Sequence, residues 1–142
     1  MTNGIGNHVV LAARLFLAAL FLIFGWRKVK DYPGTVTQMT RDGLPMPVLA
    51  TGIAIFVELP VAFAVAIGAF TRLAAVLMAL YTLGTSLVEH RYWTLSGEGR
   101  VAVMENFYKN LAIIGGFLLL FITGGGKYSI DAIWHIAMPR PI

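Results

Sequence analysis

The stretch from Pro47 to Phe70, PVLATGIAIFVELPVAFAVAIGAF, is 24 residues of nearly unbroken apolar character with one carboxylate, Glu58, near its middle. A helix needs roughly 20 apolar residues to cross a hydrocarbon core of about 30 Å, so the stretch predicts a transmembrane helix with Glu58 close to the bilayer midplane. A charge at that depth costs about 2.5 to 3.5 kcal/mol on insertion scales, and such residues face protein or a water-filled cavity and carry a partner. The fold must therefore surround Glu58 with other helices, one of which supplies that partner.

The rest of the chain has the material for this. Of its 142 residues, 58% are hydrophobic and only 13% charged, and the mean hydropathy is +0.75; a soluble domain carries about 25% charged residues. The length allows one compact bundle spanning residues 1–142, and the predicted fold is all-α: a transmembrane four-helix bundle. Its spans are expected at about 8–26, 47–69, 72–92 and 104–123. Short interfacial helices are expected in the first connector, at about 33–42 between Pro33 and Gly43, and at the C-terminus, at about 129–138, capped by Ser129 and stopped by Pro139. The polar head MTNGIGNH has no Lys or Arg, and the apolar run after it is followed by RKVK instead of small residues. It is expected to be a retained first span, not a cleaved signal peptide.

Four spans place both termini on one side. The side reached after the first and third spans carries Arg27, Lys28, Lys30, Arg41, Arg91 and Arg100, against Arg72, Lys127 and Arg140 on the other. The positive-inside rule then puts both termini outside the cytoplasm. These basic residues sit beside apolar spans, a topology signal and not a nucleic-acid patch. The absence of cysteine excludes disulfides and thiolate metal sites within the chain. The histidines, His8, His90 and His135, fall on different sides and predict no metal or haem site.

Two clusters of polar residues could carry chemistry. Arg14, inside the first span, lies within side-chain reach of the depth of Glu58, and the sequence predicts that the two pair. Such a pair either fixes helix register or lines a cavity as a ligand-binding or proton-relay site. Pro60, two residues after Glu58, is expected to kink the helix and free the carbonyl of Phe56. In the third span, Tyr81, Thr85 and Glu89 recur at i, i+4 and i+8 and make one polar stripe. At its far end Glu89 and His90 fall at the depth of Asn106, Lys109 and Asn110 of the fourth span. That cluster is read either as Lys109 bonding Glu105 and reaching the headgroups, or as a quinone or proton-entry site.

In order, FGWRKVKDYPGT, GLPMP, Glu58, GAFTR and TGGGKYSID resemble the DoxX family of small bacterial four-helix inner-membrane proteins. The resemblance covers nearly the whole chain. It implies a role beside respiratory or sulfur redox enzymes, since some relatives are subunits of thiosulfate:quinone oxidoreductases and others accompany superoxide dismutase and a sulfurtransferase. Lys28, Glu58 and Arg72 match the family pattern and Arg14 fits a common basic position, whereas Pro60, Val61 and Ala62 stand where many relatives have glycines. The expected function is an integral accessory or anchoring subunit of a membrane redox complex, partnered by the lipid bilayer and by other subunits or a second copy, with quinone as the implied cofactor. A self-contained quinone-linked oxidoreductase and a small proton-coupled transporter or lipid-binding bundle are the alternatives.

Overall fold

In a computed structural model, residues 3–134 are described, and among them every regular element is helical. Helix α1 (Gly4–Lys30) starts at Asn3, whose side chain accepts from Gly6 N–H, and ends with Arg27, Lys28 and Lys30 in its last turn, where cations favour the helix dipole. Asp31 then serves both helices it joins. Its N–H donates to the Arg27 carbonyl, and its carboxylate accepts from Gly34 N–H to open α2 (Tyr32–Arg41). The second span is built from α3 (Pro47–Phe56), a π-helical turn (Val57–Val61) and α4 (Ala62–Ile67). α5 (Thr71–Glu89) and α6 (Arg100–Thr123) are the remaining long helices, joined through a short 3-10 turn (Tyr92–Thr94), and α7 (Ile130–Trp134) closes the described chain.

Among the described residues, four helices are long and apolar enough to cross a membrane. α1 begins earlier than position 8, at the Asn3 cap, and α6 begins at Arg100 because its polar first turns continue the helix up to the left-handed Gly99. The connector helix falls at Tyr32–Arg41, with Met39 buried. Of the expected C-terminal helix, Ile130–Trp134 is present with Ser129 Oγ accepting from Ala132 N–H at 3.2 Å; the remainder, with His135 and Pro139, lies outside the described residues.

The interior is made of small or slender side chains, Ala18, Ala62, Val65, Ala74, Ala75 and Met78, around Phe21 and Phe117. Large ones such as Phe16, Phe56 and Leu119 point outward. Lipid is as apolar as leucine, so helix association in a bilayer depends on close packing, and small interior residues let the backbones approach.

At Pro60 the helix widens into a π turn, in which Ala62 N–H reaches back five residues to the Val57 carbonyl. Proline cannot donate to the carbonyl four residues earlier, and the wider register brings the next N–H into play. The turn packs directly on α1 at Gly25, where an added Cβ would sit 2.9 Å from Glu58 Cβ and from Leu59 Cγ. Gly25 is thus what allows Glu58 to lie against the end of α1.

Candidate functional site

Glu58 is buried, and its partner is Lys28, not Arg14. Lys28 Nζ lies 2.9 Å from Oε2 and donates to Oε1 at 3.1 Å, and Tyr81 Oη donates to the same Oε1 at 2.6 Å. Oε2 is held by charge alone and receives no directed hydrogen bond. Phe24 faces the Lys28 ammonium at 5.9 Å, and Phe21 meets the Tyr81 ring edge-on at 6.5 Å, so aromatic packing fixes both partners of the carboxylate.

Glu58 packs level with Gly25, three residues from Lys28 and eleven from Arg14, and the lean of helical side chains reinforces the change of partner. Cα–Cβ bonds tilt toward a helix N-terminus. α1 enters from the terminal end of the bundle, so Arg14 leans away from the midplane, while Lys28, roughly 21 Å further along the axis, leans back down toward it. The second span runs the opposite way, so Glu58 leans up toward Lys28.

This triad sits in a cavity of about 610 Å³, within the range of roughly 300 to 1,000 Å³ typical of small-molecule sites. Its walls come from α1, the π turn, α5 and α6, and α2 contributes Gly34, Thr35, Gln38 and Met39. Of the candidates read from sequence, Glu58, Tyr81, Glu89, His90 and Lys109 all line it, with Asn106 and Asn110. Glu58 from the first of the two polar clusters inferred separately therefore joins the second in one site, without Arg14. Asn110 Nδ2 donates to Ser86 Oγ at 2.9 Å, and Ser86 in turn donates to the Thr82 carbonyl, which ties the α6 wall to α5. Arg91 Nη2 donates to the Asp42 carbonyl at 3.2 Å and fastens the end of α2 to the segment after α5.

Sequence reading missed Lys28 as a site residue. It belongs to RKVK, which reads as an interfacial group among lipid headgroups; the signal was its place on the seam Arg14, Ala18, Phe21, Gly25, Lys28, the first four of which are buried.

Arg14 belongs to a second structure at the terminal end. It is fully buried, and Nη2 donates to the Tyr128 carbonyl at 2.5 Å. Asp131, close enough to act on it electrostatically, accepts from Phe70 N–H at 2.6 Å and Thr71 N–H at 2.8 Å, and donates its own N–H to the Gly68 carbonyl. Asp131 thereby caps α5 from 60 residues away. GAFTR and TGGGKYSID, which lie far apart in sequence, meet here and clamp the bundle shut. Gly68 has φ +72°, and a Cβ there would collide with Arg14 Nη1.

Residues 9–91 match the DoxX family, which takes in the triad, Glu89, His90 and Arg14. The chain belongs to the DoxX family. It is 46% identical over 123 residues to the inner membrane protein YphA of Escherichia coli, covering 87% of this chain and 88% of that one. It is 40% identical over 124 residues to the inner membrane protein YqjF of the same organism, covering 87% and 90%. A shorter likeness, 36% over 66 residues, links it to the yeast ER-derived vesicles protein ERV29, covering 46% of this chain and 21% of that protein. No solved structure matches. The DoxX match ends at residue 91, so Asn106, Lys109 and Asn110, which complete the cavity from α6, lie beyond it. The protein is thus an integral membrane protein of the DoxX family whose buried charges are divided between a cavity toward one end and a clamp at the other.

Proposed function

We propose that this protein is an integral subunit of a membrane redox system and that its cavity holds the headgroup of a lipid-soluble quinone. The observation that carries this reading is the Lys28–Glu58–Tyr81 triad lining a cavity of about 610 Å³. The Lys28 ammonium has N–H groups to offer a quinone carbonyl. Phe21 and Phe24 supply apolar walls for a ring.

Charge balance favours a neutral head. Arg27, Lys28 and Lys109 in the cavity wall are matched by Asp31, Glu58 and Glu89, so an ionic headgroup would arrive without a counter-charge. The basic residues after the first and third spans lie at this end, which supports a cavity toward the cytoplasm and both termini in the periplasm. With no cysteine or cofactor-binding motif in the sequence, the electrons come from a partner subunit.

The test is purification in mild detergent, followed by solvent extraction and absorbance spectroscopy of the extract and identification of co-isolated subunits. Stoichiometric quinone that is lost in Glu58→Gln, together with a redox enzyme that co-isolates, is the expected result. A preparation free of quinone that also fails to bind added quinone overturns the proposal.

A further inference from the structure

The cavity is bounded in part by α1 and α6. α1 and α6 touch at two levels. A Cβ at Gly116 would lie 3.1 Å from Leu17 Cδ2, and the rings of Phe21 and Phe117 pack at 5.8 Å. Toward the loop end the two helices instead face each other across the cavity, with Leu20 and Phe24 on one edge and Lys109 and Ile113 on the other. Leu20 and Phe24, which line the cavity, are also 38% and 41% exposed. Leu20 lies roughly 12 Å deeper than Lys28 along the axis, in the apolar part of the span. At that depth the exterior is hydrocarbon, not water.

We propose that the gap between α1 and α6 is a lateral slot through which the isoprenoid or alkyl tail of the ligand extends into the bilayer while its head occupies the triad. This inference rests on the quinone-headgroup reading and adds to it a route of entry and a residue that controls which ligands fit. Bilayer and slot are equally apolar, so the tail gains little affinity from lying there. What the slot provides is access. Without it, a tailed ligand would have to draw its whole chain past polar lining residues such as Gln38, Glu89 and His90. Leu20 is then a specificity-determining residue: filling the slot excludes tailed ligands and leaves short ones unaffected.

The test uses the full chain in nanodiscs. Binding of a short-chain, water-soluble benzoquinone is measured by equilibrium dialysis, and a long-tailed isoprenoid quinone supplied in the lipid is the competitor. In Leu20→Trp the short quinone should bind within twofold of wild type, while the tailed competitor weakens at least tenfold. Ile113→Trp fills the slot from the opposite edge and guards against a folding defect in the first variant. Leu119→Trp, on the lipid-facing surface of α6 and outside the cavity wall, should change neither ligand. Equal weakening of both quinones in the two slot variants, or no weakening of either, overturns the slot. If wild type binds the short quinone but the tailed one fails to displace it, the slot alone falls. If wild type binds no short quinone, the headgroup reading falls and the slot falls with it.

Discussion

Removing Lys28 should cost more stability than its place near the membrane surface suggests. Lys28 is 22% exposed but its partner Glu58 only 6%, and the two charges are 2.9 Å apart. Truncating one partner of a buried pair typically costs about 3 to 5 kcal/mol, because the other charge stays buried without compensation. Tyr81 still donates to Glu58 in the variant, and a hydrogen bond to a charged group retains about 1.5 kcal/mol or more of this. Lys28→Ala is therefore expected to lose about 2 to 3 kcal/mol. Glu58→Gln should lose less, about 1 kcal/mol, since the freed lysine can extend toward the headgroups. The double variant should be no worse than the poorer single, giving a coupling energy of about 1 kcal/mol or more.

The assay is reversible unfolding in mild detergent or bicelles, followed by tryptophan fluorescence, for wild type, both singles and the double. The same cycle for Arg14 with Glu58 is the control, because these residues share no partner, and it should be additive within about 0.5 kcal/mol. Additive losses for Lys28 with Glu58, or strong coupling of Arg14 with Glu58, would refute the assignment of partners.

Other positions give further tests. Gly25→Ala places a Cβ 2.9 Å from Glu58 Cβ, and overpacking of this kind should cost about 1 to 3 kcal/mol in the same unfolding assay, with weaker quinone binding. Gly68→Ala combines φ +72° with a collision against Arg14, so it should cost about 3 kcal/mol or more and reduce the membrane-inserted protein recovered on expression. Asp131→Ala removes the acceptor of two N–H groups at the start of α5 and should cost about 2 kcal/mol, partly restored by Asn, as read by thermal unfolding. Pro60→Ala lets the π turn relax toward an α-helix and swings Glu58 by about 100° about the axis. It should impair quinone binding far more than unfolding stability, and equal effects on both would count against the π turn as the device that aims Glu58.

Much of this architecture is legible in the residues themselves. Uninterrupted apolar length marks the four spans, and the cost of Glu58 at mid-membrane demands a partner whatever the fold. The i, i+4, i+8 spacing of Tyr81, Thr85 and Glu89 puts these side chains on one face of α5, and the structure turns Tyr81, Thr85 and Glu89 into one cavity. The pairing of Arg14 with Glu58 failed because Glu58 packs level with Gly25, three residues from Lys28 but eleven, or roughly 16 Å of axis, from Arg14. Arg14 and Lys28 occupy the same seam of α1, and their level on it, reinforced by the tilt toward the N-terminus, separates the cation that reaches Glu58 from the one that does not. The clamp at the terminal end was less legible still. Asp131 carries no local mark of capping a helix 60 residues earlier, and the collision that requires glycine at position 68 exists only once Arg14 is folded against it.

The central claim is that the Lys28–Glu58–Tyr81 cavity receives a quinone headgroup, and photolabelling tests it most directly. An azidoquinone with the headgroup of a natural quinone would be irradiated with the purified chain in nanodiscs, and the adducts mapped by peptide mass spectrometry. Labels on Phe24, Tyr81 or Lys109 that disappear with excess unlabelled quinone and in Glu58→Gln are the predicted result. Labels confined to outward-facing residues such as Phe16, Leu118 and Leu119, and indifferent to competitor, would contradict it.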